Sequence, residues 1–514
     1  MSTIPYTESS GPRTYFGWQA ERVEFMFGLS MQRTLLIAAA LVLALWPVFS
    51  ASLGSGVVAW PLAAVLGGSA MVRVAGRTAD EWASSFLSYQ YLRLRGLTKF
   101  ASGPFNPAFA RTAEKDAGWD LPGILAPLEL LEVDGGAAGS IGVAHHRIDK
   151  TFTAVARVST PGIGLIDSFR RGQRVSSWGS LLAGLCVEGS PITRIQVMQR
   201  TVPESGASLR RWDAAHQDPE APGLAVNTVR TLLATSTLAS SRRETFLAFT
   251  LDARRAAGPI KSAGGGADGA ALVLARHLRA QSSQIVAADL QIEAWLTGRD
   301  LSEVIRTAYD PDAARHLAER RANHGAPTAP GMPAGVAPEF AAPSAAVSEP
   351  TFYKHCGAIT ATYWISAFPR THVSATSLAP VLGEAAHRRA YSMHIQPLPP
   401  RVAEKLVMRE RMSRSVQVRL RQRTGQIVPE HEQVALERAE QQDAERAAGH
   451  GLVRFTALVS VTVTDIDQLP DACAALEADA AAANLECQRV YYAQDTAFAA
   501  VALPLGQALP RTRW

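Results

Sequence analysis

Two short segments of this sequence carry residues that could bind an anion or a metal ion. Gly264-Gly265-Gly266 precedes a helical pattern, and its free backbone N–H groups could hold an anion. No strand ends directly at these glycines and no lysine accompanies them, so the sequence predicts a flexible turn. Asp465 and Asp467 could coordinate Mg²⁺ as hard carboxylates, but they stand just before a predicted helix. Aspartates at that place accept hydrogen bonds from the first turn, so we predict helix caps.

The histidines and cysteines do not form a metal-binding pattern. His145-His146 falls in a predicted hairpin turn, and His355-Cys356 begins a predicted strand. Zinc needs four ligands, usually as two close pairs, and neither pair has a partner at suitable spacing. We therefore expect no metal and no other cofactor. The cysteines are widely separated, which fits reduced thiols in a cytoplasmic region: Cys186, Cys356, Cys473 and Cys487.

Lysine is rare, and its placement bears on nucleotide binding. The chain has six lysines among 51 lysine and arginine residues, which leaves 45 arginines (51 − 6). A P-loop requires a lysine after glycine and before serine or threonine. Lys261 precedes Ser262 but follows Ile260, so the glycine is missing. No serine stands in a nucleophile-elbow pattern, and we expect a protein that is not an enzyme.

An uncharged run near the N-terminus predicts a membrane anchor. Thr34 to Val72 contains no Asp, Glu, Lys, Arg or His over 39 residues. Because about 20 apolar residues span a bilayer core, the run predicts two transmembrane helices joined by a turn at residues 53–56. Arg33, Arg73 and Arg77 flank the pair and place both ends on the cytoplasmic side. We therefore expect a two-pass protein of the bacterial plasma membrane with cytoplasmic N- and C-termini.

The rest of the chain alternates strand-like and helix-like segments, from a juxtamembrane helical pattern at Ala79–Leu97 to a final strand-like segment at Phe498–Leu503, which predicts an α+β fold. In full, the expectation is a transmembrane hairpin followed by two cytoplasmic α/β sandwich domains with ferredoxin-like elements and a protruding charged helical hairpin. The predicted boundaries are a cytoplasmic arm at 1–33, the transmembrane hairpin at 34–72, a juxtamembrane helix and connector at 73–120, the first α/β domain at 121–320, an Ala/Pro/Gly-rich mobile linker at 321–350 and the second α/β domain at 351–514 with its helical hairpin at 401–449.

The helical hairpin is the most charged part of the sequence. Residues 401–423 carry seven Arg and one Lys against two Glu, which gives +6, and residues 430–446 carry six acidic side chains against two Arg, which gives −4. Two such helices can pair antiparallel and offer a docking site for a partner, although ordinary solvated faces would give the same pattern. The candidate docking residues are Arg409, Arg411, Arg414, Arg419, Arg421, Arg423, Glu432, Glu437 and Glu440.

Several stretches of the sequence carry a resemblance to known proteins: Phe27–Ser30, Val72–Arg77 with Glu81-Trp82, Leu121–Leu130, Gly451–Phe455 and Ala497–Gly506. They resemble an uncharacterised family of actinobacterial membrane proteins found in conjugative elements beside a separate secretion ATPase. Members of that family resemble a PrgI-type membrane hairpin fused to the N-terminal, non-motor region of TraC/TrbE/CagE-type ATPases. The hairpin and residues 142–203 are also similar to EccE, a membrane component of type VII secretion.

The resemblance implies a non-enzymatic inner-membrane subunit that anchors and positions a separate cytoplasmic ATPase. Its expected partners are that secretion or conjugation ATPase, membrane lipid and other membrane subunits of the machine, and the subunit is expected to be an oligomer. An EccE-like component of type VII secretion and a membrane-tethered DNA-binding protein are the alternatives, with nucleic acid the less favoured partner. An enzyme acting on nucleotides is the remaining hypothesis.

Overall fold

The computed structural model of this protein describes most of the chain, in thirteen stretches. They are residues 31–49, 53–71, 73–74, 77–103, 119–136, 139–159, 166–204, 206–239, 241–322, 333–369, 373–423, 430–447 and 451–508. Most of the predicted cytoplasmic arm (1–30), much of the connector (104–118), part of the linker (323–332) and the turn of the charged hairpin (424–429) lie outside the described residues.

Two helices fill the uncharged run of the sequence. Helix α1 is Met31–Phe49 and helix α2 is Leu53–Met71, each with one internal proline. The prediction of a turn at residues 53–56 is wrong, because these residues form the first turn of α2. The two helices contact each other, and the Trp60 Nε1 donates a hydrogen bond to the Ala44 carbonyl at 3.2 Å. Within the described residues, none of the helices combines the length and the apolar character that crossing a membrane requires.

A short ribbon and a third helix connect this pair to the rest of the protein. Strands β1 (Arg73–Val74) and β2 (Arg77–Thr78) pair antiparallel, α3 is Ala79–Leu94, and β3 is Lys99–Ala101. The predicted juxtamembrane helix is therefore present and ends three residues earlier than expected.

Helix α3 is fixed to the body by an aromatic cluster. Trp82 packs on Tyr491 with ring centroids 4.8 Å apart, and Phe86 and Tyr89 contact Tyr492 at 5.6 and 5.5 Å. Tyr89 is buried and its hydroxyl donates to the Ser348 carbonyl at 3.2 Å. Strand β3 pairs with a strand of the main sheet over three residues. Helix α3 therefore has a fixed position on the body.

The body consists of two consecutive series of elements. The first contains β4 (Leu128–Asp134), β5 (Ser140–His146), β6 (Thr151–Ser159), α4 (Ser168–Leu185), β7 (Ile192–Pro203), α5 (Ala207–His216), α6 (Gly223–Ala239), β8 (Ser241–Asp252), α7 (Ala257–Ser262), α8 (Gly266–Ala287), β9 (Gln291–Trp295), α9 (Gly298–Tyr309) and α10 (Ala313–Ala322). The second contains β10 (Ala345–Ser348), β11 (Tyr353–His355), β12 (Ala358–Ala367), α11 (Ala379–Leu382), β13 (Arg388–Pro397), α12 (Pro400–Arg423), α13 (Glu430–Ala447), β14 (Val453–Val463), α14 (Leu469–Ala482), β15 (Glu486–Arg489) and α15 (Gln494–Ala502).

All of these strands belong to one sheet of thirteen strands, which includes β3, and the pairs within it are antiparallel. The order is β3-β10-β11-β12-β14-β13-β7-β8-β6-β5-β4. Strand β15 pairs with the C-terminal part of β12, on the same edge as β11, and β9 pairs with the C-terminal part of β6, on the same edge as β5. The predicted α+β class is confirmed. The two predicted α/β domains share this sheet, because β7 of the first pairs with β13 of the second from Ile195↔Ile395 to Arg200↔Ala390.

The strand order shows that the second series repeats the first. In each series the strands that follow the opening pair, β6-β7-β8-β9 and β12-β13-β14-β15, lie side by side in the order 4-1-3-2. A helix follows the first and the third strand of each set, which is the βαββαβ connectivity of a ferredoxin-like unit. Two helices are inserted between the second and third strands of both units, and a helix follows the fourth strand. Because β7 and β13 run antiparallel, an approximate two-fold axis relates the units.

Helices cover both faces of the sheet. One face packs against α9, α15 and the segment before β4, through side chains that include Val155, Met198, Phe246, Leu301, Ile305, Phe498 and Leu503. The other face packs against α4 and α8 in the first unit and against α14 in the second, through side chains that include Ile195, Phe249, Leu274, Leu278, Tyr363, Val459 and Leu476. The sheet is therefore the middle layer of three.

Three further sequence predictions need correction. The second half of the predicted mobile linker is part of the structure, because Ala341, Ala342 and Ala346 are small enough to be buried beside α9 and β10. The apolar segment at 498–503, expected to belong to the sheet, lies mostly in helix α15, which is buried all round and lacks an amphipathic pattern. The pair His145-His146 ends strand β5 and lies outside the hairpin turn.

The C-terminal segment offers a test of this packing. Gly506 has φ +68°, and a Cβ there would lie 2.8 Å from Thr153 Oγ1 and nearer still to Thr250 Oγ1. We expect Gly506→Ala to lower the free energy of unfolding by about 1–3 kcal/mol, by strain and overpacking together. Gly96→Ala is the matched control, since Gly96 has φ +70° in open space. Equal losses in chemical denaturation would show that backbone strain alone matters.

Candidate docking surface

The charged hairpin predicted from the sequence is the pair α12 and α13. Pro400 occupies the first position of α12, where its missing N–H is not needed, and the remaining residues of the helix contain no glycine or proline. Arg411 donates to Asp443 of α13 at 3.0 Å, which links the two helices. Ala403, Val407 and Val418 of α12 are buried on the inner side. The prediction of two contacting helices is confirmed.

The predicted docking residues occupy different parts of this pair. Exposed side chains are Arg409, Arg411, Arg419, Arg423, Glu437 and Glu440, whereas Arg414 and Arg421 are half-buried and the side chain of Glu432 is not described. The bond between the helices uses Asp443, which the sequence reasoning did not select. Arg414 approaches Glu410 of its own helix at 3.8 Å. Such exposed pairs contribute about 0.2–1 kcal/mol each, so charge alone does not hold the helices together.

The outer side of α12 carries an apolar row that sequence reasoning missed. Met408, Met412 and Val416 are 53%, 69% and 56% exposed, and Val402 and Leu420 lie on the same side at 46% and 59%. Successive members from Met408 to Leu420 are four residues apart and form a continuous ridge. The signal was present in the sequence as an i, i+4 repeat, but the arginines between its members obscured it.

Five of the eight cations of α12 lie beside this row, and its acidic residues do not. At about 100° per residue, the ridge is centred opposite buried Val407 and Val418. Five cations fall within about 40° of that centre: Arg401, Lys405, Arg409, Arg419 and Arg423. Glu404 and Glu410 lie about 100° or more away. The outer face of α12 is therefore apolar and strongly basic at once.

The inserted helices of the first unit, α5 and α6, border a cavity with α10. Its volume is about 620 Å³ and its charged lining is balanced. The lining includes Arg210, Arg230 and Arg315 together with Glu204, Asp213 and Glu319, and Arg210 pairs with Glu319 at 3.5 Å. The two insertions thus have different surface chemistry despite their equivalent places in the fold.

A buried charge cluster lies where the two units meet. Arg200 on β7 donates to Glu244 on β8 at 3.0 and 2.9 Å, and also to the Val304 carbonyl and the Thr307 hydroxyl. Arg388 on β13 donates to the Thr307 carbonyl at 2.6 Å, and burial and then the neighbouring Arg200 lower the pKa of its guanidinium. These contacts hold α9 on the sheet and give the cluster a structural role.

The residues that could bind an anion or a metal have structural partners. Asp465 accepts from the Asp467 N–H at 3.1 Å and caps the 3-10 turn that leads into α14, whereas the N-cap of α14 itself is Gln468. Both ring nitrogens of buried His355 have hydrogen-bond partners, and burial lowers its pKa to about 4. Among the described residues, no group of three or more His, Cys, Asp and Glu is placed to hold a metal ion.

A glycine pattern at the start of α8 was overlooked in the sequence. Gly264, Gly266 and Gly269 match G-x-G-x-x-G, which in dinucleotide-binding folds joins a strand directly to a helix. Here β8 ends at Asp252 and α7 intervenes, in an antiparallel sheet. The required context is therefore absent, and the glycines form a turn with φ between +67° and +102° at 264–266.

The residues predicted to flank the membrane lie around the N-terminal helices. Arg33 is in the first turn of α1, and Arg73 and Arg77 belong to the paired strands β1 and β2. Their side chains are not described. No protein-family model matches the chain, and no curated protein matches it either.

Proposed function

We propose that this protein is a non-enzymatic subunit of a bacterial secretion or conjugation machine, anchored in the plasma membrane by α1 and α2. In this proposal the body holds a separate cytoplasmic ATPase in place, and other membrane subunits and a second copy of the chain complete the assembly. The observation that carries the proposal is the arrangement of three parts: an apolar helix pair, a helix fixed to the body, and a basic helix facing outward.

The surface of the N-terminal helix pair supports the membrane anchor. Large apolar side chains on α1 and α2 are exposed in the isolated chain, among them Leu41, Val42 and Trp46 at 58–61% and Val57 and Val58 at 72–75%. Lipid could cover such side chains without leaving polar groups unpaired, because the backbone N–H and C=O groups of a helix bond to each other. None of the described helices meets the requirements for a span by itself, so the anchor depends on the whole uncharged run at 34–72.

The connection between the anchor and the body supports a positioning role. Helix α3 starts within a few residues of α2 and is fixed by the Trp82, Phe86 and Tyr89 contacts. In this proposal the attachment keeps the body in a defined orientation relative to its anchor. That property suits a subunit that presents a partner at the membrane, and the proposal assigns nucleotide hydrolysis to the partner.

Charged residues in α1 provide the first test. In a bacterium that carries the protein naturally, we expect Leu41→Arg/Leu45→Arg to leave the membrane fraction on carbonate extraction, because each arginine costs about 2.5–3.5 kcal/mol at a helix centre in lipid. Leu224→Arg/Leu232→Arg on α6 is the matched control, at positions 82% and 61% exposed. The control should stay in the membrane fraction with the wild type.

Co-purification tests the partner. The tagged full chain, extracted from membranes in mild detergent, should bring with it an ATPase that contains a P-loop. Recovery of membrane subunits without any such ATPase would contradict the proposal. The other co-purifying proteins distinguish the alternative functions. DNA-relaxation proteins indicate conjugation, whereas small secreted helical-hairpin proteins indicate an EccE-like role in type VII secretion.

A further inference from the structure

We propose that the outer face of α12 binds an acidic amphipathic helix of a protein partner. The inference rests on the proposed function and deepens it by naming the chemistry of the docking surface. Met408, Met412 and Val416 form its apolar ridge, and the cations Arg401, Lys405, Arg409, Arg419 and Arg423 line its sides.

The length and spacing of the ridge fit a helix. From Met408 to Leu420 the ridge extends about 18 Å at 1.5 Å per residue, or more than three helical turns. Partner helices bind such surfaces through apolar residues spaced three and four apart. Methionine is common at surfaces of this kind because its flexible side chain adapts to the shape of the partner.

The charge around the ridge requires an acidic partner. The other side of α12 already packs against an acidic helix of the same chain, α13, with the Arg411 to Asp443 bond between them. The outer face repeats that chemistry with more cations and with no acidic side chain near its centre. A second helix of the same kind therefore complements it in both charge and apolar content.

A second copy of this chain does not supply such a helix through α13. The described side chains on the exposed side of α13 are Glu430, Gln433, Glu437, Glu440, Gln441 and Ala444. No large apolar residue is among them, so nothing from α13 would cover the methionines. A second copy of α13 is therefore not the occupant, and the proposal assigns the helix to another protein.

The place of α12 in the fold disfavours the membrane surface as the occupant. Helices α12 and α13 join the sheet at Pro397 and Val453, where β13 ends and β14 begins. Helix α3 is fixed at Ser348, and the pairing through Tyr353 and Thr360 leads from there to Thr462 at the other end of β14. The two ends of β14, Val453 and Thr462, are nine residues apart, or roughly 30 Å at about 3.3 Å per residue. The base of α12 and α13 therefore lies at the end of the sheet away from the place where α3 is fixed.

Peptide binding to the full chain in detergent tests the proposal. The probes are two labelled 18-residue helical peptides with the same leucine row, one flanked by glutamates and one by lysines. We expect the glutamate peptide to bind at least about tenfold more tightly in fluorescence anisotropy, because like charges across an interface are strongly unfavourable. Equal binding of both peptides would overturn the acidic partner.

The variant Met408→Glu/Met412→Glu tests the ridge itself. It should weaken binding of the glutamate peptide by at least about tenfold, since it removes the apolar contact and adds repulsion. Ile148→Glu/Leu224→Glu is the control, with the same charge change at positions 69% and 82% exposed. Weaker binding of the glutamate peptide in both variants, or unchanged binding in both, contradicts the proposal. Tighter binding of duplex DNA or of phosphatidylglycerol vesicles, lost in the ridge variant alone, would assign the face to nucleic acid or lipid instead.

The two proposals fail in different ways. If the ATPase co-purifies equally with the wild type and with the Met408→Glu/Met412→Glu chain, the proposed function survives and the docking face is wrong. If no ATPase co-purifies but the glutamate peptide binds through the ridge, the docking face survives and the proposed function is wrong.

Discussion

Glu244→Gln should lower the free energy of unfolding of this protein by about 3–5 kcal/mol, which is the range for breaking a buried ion pair. Only 8% of the Glu244 side chain is exposed, and that of its partner Arg200 is 4% exposed. One Glu244 oxygen accepts both Arg200 bonds, while the other accepts from Arg242 at 2.7 Å. The substitution leaves Arg200 without a counter-charge in a region of low dielectric constant, whereas Arg242, whose side chain is 51% exposed, loses its partner near the surface.

The surroundings of the pair increase the expected loss. Arg157 and Arg200 both stack over Phe246, at 5.7 and 5.4 Å from the ring centroid. Burial lowers the pKa of Arg157, which reflects the cost of keeping its charge there, and Glu244 is the main group that opposes this shift. Without the carboxylate, two cations share one apolar ring and repel each other.

The loss of stability in Glu244→Gln depends on pH, and the pKa of Glu244 gives the direction of that dependence. Burial alone would raise the pKa of Glu244, but the charges of Arg200, Arg157 and Arg242 outweigh it and lower the pKa to about 2 from an ordinary 4.5. A group whose pKa is lower in the folded state adds stability above its unfolded pKa, and loses that contribution as the pH falls to the folded value. The difference in the free energy of unfolding between wild type and variant should therefore become smaller as the pH falls from 4.5 to about 2.

Urea denaturation of both proteins across this pH range measures the effect. Glu188→Gln is the matched control, because Glu188 is exposed. Buried His355 and His394, whose pKa values are lowered by burial, destabilise wild type and variants alike in acid and cancel in the difference. A loss below about 1 kcal/mol at neutral pH would contradict the prediction, since exposed pairs contribute that much.

The local elements of this fold were largely predictable from the sequence. Strand β14, VRFTALVSVTV, is rich in β-branched and aromatic residues that favour extended backbone, and the hairpin β5 to β6 has polar residues at its turn. The duplication was not predictable in this way. It appears in the order of the strands, which depends on pairing between residues far apart, such as Ile195 and Ile395.

The candidate docking surface was also predictable only where it depends on local sequence. Net charge predicted the pair α12 and α13, because a run of +6 followed by one of −4 favours helices that attract each other. Which side of α12 remains uncovered depends on where α13 and the body lie, so the Met408 to Leu420 ridge could be identified only from exposure. The Arg200 and Glu244 pair is 44 residues apart in the chain and gives no local signal.

The duplication gives a physical reason for the separate placement of the inserted helices. Because β7 and β13 are antiparallel neighbours, their C-terminal ends point in opposite directions, and each insertion follows one of those ends. The pair α12 and α13 therefore leaves the sheet at the opposite end from α5 and α6. A partner bound to the basic face of α12 would leave the α5, α6 and α10 cavity accessible to a different contact.

Phe498→Ala should lower the free energy of unfolding by about 3–5 kcal/mol, the usual cost of removing a buried aromatic ring. Phe498 is 1% exposed in α15, and its ring centroid lies 4.6 Å from His355, 5.0 Å from Tyr309 and 5.2 Å from Tyr353. These rings come from α9, β11 and α15, so the loss affects the contact between the two units as well as the packing of one helix.

Phe169→Ala in α4 is the matched control, because the same substitution there removes a ring that is 70% exposed. It should change the free energy of unfolding by less than about 0.5 kcal/mol, as surface substitutions usually do. If Phe498→Ala lowers stability without splitting the unfolding transition, the two units unfold together, as one continuous sheet implies. If a second transition emerges, the β7 to β13 pairing is too weak by itself to couple the units, and the aromatic cluster supplies the coupling.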